Sequence, residues 1–382
     1  MHTTTAFSAT SQSHDVTSAS PTATTSSRTV TVAMVAPSLD ILGGQGVQAK
    51  SLADELEHNG FNVMFVAVNP RFPRWLQWLR SVPVARTIIN QLLYFPALLK
   101  LRHADVVHVF SASYWSFLLA PVPAILAARL FGKPVVLNYH SGEADDHLAT
   151  WGMRVHPWLK LVTDIVVPSV YLQKVFAAHG YHARVIRNMI NTTHFSYRER
   201  LPLQPLLLSA RNLENMYRVG NNLKAFAMVQ KKCPAAKLIV AGYGSQEKLL
   251  KAWVYANHLQ ESVEFVGRVE PADMPALYDR ADIMLNSSVI DNQPISILEG
   301  CAAGLFVVST PVGDIPAMVH DGVSGQLVPI DNPAAMANVI LNALDQPERV
   351  HAMTRKAREE AEKYTGPHVC HEWADLYQDL AR

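Results

Sequence analysis

At 382 residues, 49% of them hydrophobic, the chain exceeds what one compact core organises and suits two domains of ordinary size with a cleft between them. Lysine plus arginine (33) balance aspartate plus glutamate (32), and the resulting net charge of +1 excludes the global electrostatic footprint of a nucleic-acid binder, leaving room only for local basic patches. Three cysteines, Cys233, Cys301 and Cys370, stand outside any CxxC spacing, which excludes a disulfide framework and a structural zinc site and suits a reducing cytoplasm.

Residues 1–28 are dominated by Ser and Thr and contain no apolar run, so they read as a disordered tail and not as a secretory signal. A β-branched run at 29–37 (TVTVAMVAP) predicts the first strand, and a glycine-rich turn, Gly43-Gly44-Gln45-Gly46, leads into a helix whose Ala49, Leu52, Ala53 and Leu56 share one face. Further strand-like runs follow at 62–68, 105–110, 134–139, 164–168 and 184–187, with helical patterns between several of them. The stretch 70–102 carries Arg71, Arg74, Arg80, Arg86, Lys100 and Arg102 among Trp75, Trp78, Tyr94 and Phe95, with no acidic residue. That composition suits an interfacial helix on anionic lipid, and it equally describes a core helix with a solvated basic face. The apolar stretch 114–130 is interrupted by Pro121 and Pro123 and falls short of the roughly 20 residues a spanning helix needs, so a buried loop and helix is expected.

After a charged, Pro-containing stretch at 197–205 the same grammar begins again, with strand-like runs at 206–210, 237–241, 263–266, 282–286, 305–309 and 326–329. The expected organisation is a tail (1–28), a first α/β domain (29–200), a second (201–366) and a last helix (367–382) placed to cross back to the first domain. Strands alternating with helices imply parallel sheets covered on both faces, and such sheets bind ligands outside the carboxyl ends of their strands.

Among the residues that carry chemistry, the turn at Gly44 offers backbone amides to a phosphate but equally suits a plain tight turn. Five residues separate it from the strand and no GxGxxG spacing follows, so a dinucleotide fingerprint is absent. A second glycine loop, Ala241-Gly242-Tyr243-Gly244-Ser245, again runs from strand to helix. The segment 287–309 (SSVIDNQPISILEGCAAGLFVVS) places Asp291 in a loop and Glu299, eight positions on, on the expected first turn of a helix. A carboxylate accepts two hydroxyl hydrogen bonds and suits a sugar diol, whereas Glu299 at a helix start would also be favoured by the macrodipole alone. Cys301, Ala302 and Ala303 are small enough for close packing of that helix on the next strand.

Taken in order, these segments resemble glycosyltransferase family 4, a retaining group 1 family marked by an acid-x7-Glu signature. The resemblance takes in Gly43-Gly44, Pro168-Ser169, Leu208 to Leu213 around Arg211, Ala241-Gly242-Tyr243-Gly244, Val266-Gly267-Arg268-Val269, the 287–309 segment and Asp321-Gly322-Val323-Ser324-Gly325. It implies an α/β GT-B fold, two Rossmann-like doubly wound domains facing across a cleft, and transfer of a sugar with retention from a nucleotide-diphosphate sugar to an acceptor of lipid-linked or polysaccharide type. By the same resemblance Asp291 and Glu299 would contact the donor, Arg211 its diphosphate, and His140 the reacting sugar, with Gly44, Gly244, Val269, Asn292 and Gln293 completing the donor site. Two departures stand out: Asp291 replaces the usual glutamate, and the lysine expected shortly after Arg211 is missing, which leaves Arg218 as the nearest cation, expected to bind the donor as the second cation on the diphosphate, and Lys224 as a solvated helix residue.

No metal or cofactor is expected, since the run Glu143-Ala144-Asp145-Asp146-His147 matches no known metal cage. The expected partners are the nucleotide sugar and, through residues 70–102, an anionic membrane surface at the cytoplasmic face; nucleic acid is not among them. A non-catalytic nucleotide-sugar-binding protein and a nucleotide-sugar epimerase are the rival readings.

Overall fold

The structure, a computed structural model, describes residues 29–38 and 44–382. The Ser/Thr-rich segment 1–28 and Gly43 of the first glycine turn lie outside the described residues. Runs of β-branched and aliphatic residues form twelve strands among the described residues, each where its apolar run predicts it. The first six are β1 (Thr31–Ala36), β2 (Asn62–Ala67), β3 (Val106–Ser111), β4 (Val135–Tyr139), β5 (Asp164–Val167) and β6 (Arg184–Val185). They form one parallel sheet in the order β2-β1-β3-β4-β5-β6. The second six are β7 (Leu206–Ala210), β8 (Lys237–Ala241), β9 (Val263–Gly267), β10 (Ile283–Asn286), β11 (Phe306–Ser309) and β12 (Gln326–Leu327). They form a second parallel sheet, β12-β11-β10-β7-β8-β9. This is the two-domain α/β architecture of the GT-B fold. Strand order reverses between β1 and β3 in one sheet and between β7 and β10 in the other, and a doubly wound sheet leaves its ligand crevice at that reversal.

Because helices cover both faces, successive side chains along a strand enter different cores. Along β1, Ala33 and Val35 join Tyr94, Phe117 and Tyr139, whereas Val32, Met34 and Ala36 join Leu52, Leu56 and Trp373. In the second domain Leu207 and Leu208 divide in the same way. Residues 114–130 become two helices, Tyr114–Leu119 and Pro121–Leu130, split where Pro121 takes the first helical turn and its missing N–H leaves no partner wanting. Residues 70–102 become the Arg74–Ser81 3-10 turn, the Pro83–Ala97 helix and the Leu98–His103 3-10 turn. They dock on the first domain through buried Tyr94, Leu98 and Leu101, and the Tyr94 hydroxyl donates to the Ala120 carbonyl at 2.8 Å. No helix among the described residues is long and apolar enough to cross a membrane.

The chain passes between the domains twice. Its outward and return paths touch where the Ile190 amide donates to the Tyr364 carbonyl at 2.8 Å and Ile190 bridges Thr365. The return path ends in the Gly366–Leu380 helix, which lies against the first sheet and the Gly44–His58 helix. There Trp373 stacks on His108 with centroids 4.6 Å apart, and a 2.5 Å hydrogen bond joins the Tyr377 hydroxyl to His108 Nδ1.

Trp373 is 2% exposed and packs against residues of the first sheet, so Trp373→Ala should cost about 3–5 kcal/mol. Tyr255→Ala, at a side chain 74% exposed, should change stability by less than about 0.5 kcal/mol. Urea unfolding of the two variants beside the parent checks both; equal midpoints would refute the role of the returning helix as part of the first domain's core.

Candidate active site

The site begins where β7 ends, at Arg211. Gly242 has a φ of +133°, and a Cβ there would fall 2.1 Å from the Arg211 carbonyl oxygen, so only glycine lets the turn after β8 close against the Arg211 loop. Across the reversal, β10 runs into a loop braced by buried hydrogen bonds: Asn286 Nδ2 to Ser309 Oγ (2.9 Å), Ser288 Oγ to Asn286 Oδ1 (2.8 Å) and Thr310 Oγ1 to the Ser288 carbonyl (2.6 Å). That bracing fixes Asp291. Its Oδ2 pairs with Arg211 Nη2 at 2.5 Å, with the two side chains only 9% and 13% exposed, and the guanidinium lies 4.1 Å from the centre of the Tyr217 ring. A second guanidinium nitrogen, Nε, is buried with no partner.

Glu299 sits on the second turn of the Ile295–Ala303 helix and not, as expected, on the first, because the helix starts already at Ile295, directly after Pro294, whose backbone is extended. The macrodipole explanation for this residue falls with that placement, since the field it invokes fades beyond the first turn. Burial pushes the Glu299 carboxyl above the usual carboxylate range, and the Tyr278 hydroxyl, donating to Oε2 at 2.8 Å, pulls it back down.

His140 faces these groups from the other domain, one residue past β4. Its ring stacks on Phe110 at 5.3 Å, and its Nε2 is buried with no partner. Burial lowers its pKa to about 4, so the imidazole is neutral at physiological pH. The domains are joined here by Asn292 and Gln293. Ser169 Oγ donates to Asn292 Oδ1, Asn292 Nδ2 reaches the His140 carbonyl at 3.5 Å, and the Asn188 amide donates to Gln293 Oε1 at 2.7 Å. Asp314 adds a further tie, its carboxylate accepting the amides of Tyr171 and Val170 at the start of the Val170–Ala178 helix.

These elements enclose a cavity of about 540 Å³ lined by His140, Arg211, Asp291 and Glu299 and, among others, by Asn292, Gln293 and Val269. The helix after the first glycine turn starts at Gly44, and its next residue, Gln45, lines the cavity. Two expected members lie elsewhere. Gly244 is not part of the lining, and in its loop the amide and hydroxyl of Ser245 are occupied by the Glu214 carboxylate at 2.9 and 2.6 Å. Arg218, with a left-handed φ of 47°, turns its side chain to Asn215 Oδ1 (2.7 Å) and toward Asp331 (3.8 Å), away from the cavity. The second cation of the lining is Arg268, which stands over Tyr243 at 5.8 Å. Its signal was the Val266–Val269 turn itself, whereas Tyr217 and Tyr278 left no signal beyond ordinary core aromatics. The acidic run after Gly142 has separate partners: Asp145 pairs with His179 (3.1 Å), Asp146 accepts from Tyr114 (2.5 Å), and His147 Nδ1 bonds Tyr139 (2.8 Å).

Two family models cover most of the chain: "Glycosyltransferase Family 4" matches residues 42–194 and "Glycosyl transferases group 1" matches residues 195–360. A glycogen synthase of Mycobacterium tuberculosis is 26% identical over 269 residues, 67% of this chain and 64% of the relative, so the match spans just under two thirds of that protein's length. A phosphatidyl-myo-inositol mannosyltransferase of the same species is 24% identical over 82% of this chain and 86% of its own. The crystal structure of Anabaena HepE in complex with UDP-glucose superposes with a TM-score of 0.72 at 17% identity, covering 91% of this chain and 99% of HepE.

The neutral state of His140 has a measurable signature. Its ring should titrate near pH 4 in the folded protein, against an ordinary value of 6.5, as read by NMR of the ring protons with His140→Gln for assignment. The unfolded chain takes up this proton at a higher pH than the folded one. Stability should therefore fall as pH drops from about 6.5 toward 4, by up to about 1.4 kcal/mol per unit for His140, and His140→Gln should reduce that slope. A midpoint for His140 at or above 6.5 would contradict the burial argument.

Proposed function

As a member of the group 1, family 4 glycosyltransferases, the chain is one for which we propose a retaining transfer of a sugar from a nucleotide-diphosphate sugar to an acceptor hydroxyl. One observation carries this reading: Arg211, Asp291 and Glu299 of one domain and the neutral His140 of the other line the same cleft cavity at the strand-order reversal of the second sheet. As the bond from the anomeric carbon to the diphosphate breaks, negative charge grows on the leaving group, and preorganised guanidinium groups favour that state over the ground state. Arg211 and Arg268 are the arginines of the lining. In this reading the diphosphate takes over Arg211 from Asp291, which frees the aspartate for donor-sugar hydroxyls, and Glu299 accepts hydroxyl donors of the nucleotide sugar. A neutral His140 can serve the reacting sugar as a hydrogen-bond partner without placing a positive charge beside it. No metal or cofactor enters the proposal.

The same reading places the enzyme on the cytoplasmic face of a membrane. Val84, Ile88, Leu92, Phe95 and Leu99 recur at helical spacing along the Pro83–Ala97 helix and the turn that follows, all exposed, beside exposed Trp75 and Trp78. Arg86, Lys100 and Arg102 are exposed in the same segment. An apolar ladder flanked by cations is the composition of a helix lying in an anionic lipid interface.

Two outcomes are expected. Glu299→Gln keeps the shape but removes the charge, so affinity for the nucleoside diphosphate should weaken by about 1.5–3 kcal/mol, read by calorimetry after a first panel of UDP, GDP and ADP. Failure of all three to bind the parent would overturn the reading. In flotation assays the parent should rise with anionic vesicles and be released by salt, whereas Leu92→Glu combined with Phe95→Glu should stay in the soluble fraction. Equal flotation of both proteins, or of neither, would refute the membrane face.

A further inference from the structure

We propose that Tyr278 is a positioning residue for Glu299, holding its carboxylate fixed at the cavity wall so that it accepts hydroxyl donors from the nucleotide sugar; the proposal rests on the donor-binding reading of Glu299 given above. Tyr278 belongs to the short Met274–Asp279 helix and is fully buried. Its ring meets Phe195 edge-on at 5.7 Å. The buried guanidinium of Arg200 binds the Tyr278 carbonyl at 3.3 Å, the Ala281 carbonyl at 2.9 Å and, at 2.6 Å, the carbonyl of Ala303, the last residue of the Glu299 helix. One cation thus ties the backbone of Tyr278 to the helix that presents Glu299. From this fixed place the phenol reaches Glu299 Oε2 at 2.8 Å and the Ser296 carbonyl at 3.2 Å. It engages one carboxylate oxygen and leaves the other for the cavity that Glu299 lines.

The protonation chemistry follows from the surroundings. Burial holds the Tyr278 phenol far above its ordinary range, so it is a permanent donor, and a donor favours the charged form of the carboxylate it contacts. The other groups around Glu299 are the buried Cys301 thiol on its own helix, the Arg211–Asp291 pair and Arg268 in the lining, neutral His140 from the first domain, and Arg358 of the Pro347–Glu362 helix, whose Nη1 is engaged on the Ala302 carbonyl at 2.6 Å. Burial raises the Glu299 carboxyl, and the Tyr278 hydroxyl lowers it. Removing the hydroxyl therefore moves the protonation of Glu299 to higher pH.

The test is calorimetric titration, between pH 5 and pH 8, with whichever of UDP, GDP and ADP binds the parent most tightly. Tyr278→Phe keeps the ring. It should weaken binding about tenfold at pH 7 and shift the acid-side loss of affinity to higher pH. In the Glu299→Gln background the same substitution should change nothing further. An equal loss in both backgrounds, or an unmoved acid-side midpoint, would overturn the proposal and leave the donor-binding reading intact, whereas parent-like binding by Glu299→Gln would remove that reading and the proposal together. Where Tyr278→Phe does not fold, replacing tyrosine by 3-fluorotyrosine, a stronger donor, should move the Glu299 carboxyl titration seen by carbon NMR to lower pH; no movement overturns the proposal.

Discussion

Two sheets that meet by their strand ends cannot be joined through apolar faces without filling the space between them, so the cleft depends on a polar seam. Asn292 and Gln293 supply it. Their side-chain oxygens accept from Ser169 and Asn188 of the first domain, and Asp314 caps a helix of that domain from the second. Because a buried polar group left unpaired is costly, each of these contacts holds only when the domains sit in one relative position. The seam adjoins Asp291, so the loop that joins the domains is also the loop that presents the acid to Arg211.

The electrostatics of the cavity are arranged in the same economical way. A buried arginine needs a counter-charge, and in this structure Asp291 provides it. Tyr217 stacks beneath the guanidinium and keeps the plane fixed while one nitrogen remains unpaired. On the opposite wall burial alone suffices to keep His140 neutral. Anion-binding groups therefore belong to the second domain, and the first contributes a wall without positive charge at His140.

Most of the architecture was legible because strands buried on both faces must be written as continuous apolar runs, and twelve such runs became twelve strands. For Arg211, Asp291, Glu299 and His140 it was the resemblance to the family's ordered motifs that pointed to one donor site, and the four side chains line the same cavity. What escaped depends on backbone direction or on contacts remote in sequence. Arg218 is close to Arg211 along the chain, but its left-handed conformation points the side chain at Asp331, while Arg268 enters the cavity from a different turn. Gly244 stands in a loop of the right composition, yet Glu214, 30 positions earlier, already occupies its anion site. Asn292 and Gln293 line the cavity as expected, while their structural duty as the joint is invisible without the first domain in place.

The returning Gly366–Leu380 helix makes the second domain, in effect, an insertion within the first. A ribosome delivers β1 to β6 early, but the sheet face built by Val32, Met34, Phe110, Val136 and Val166 receives Val369, Trp373 and Tyr377 only after the whole second domain has been made. Until then the nascent first domain carries a partly uncovered apolar face, the kind of surface that engages chaperones during synthesis. The first domain to be translated is thereby the last to be completed.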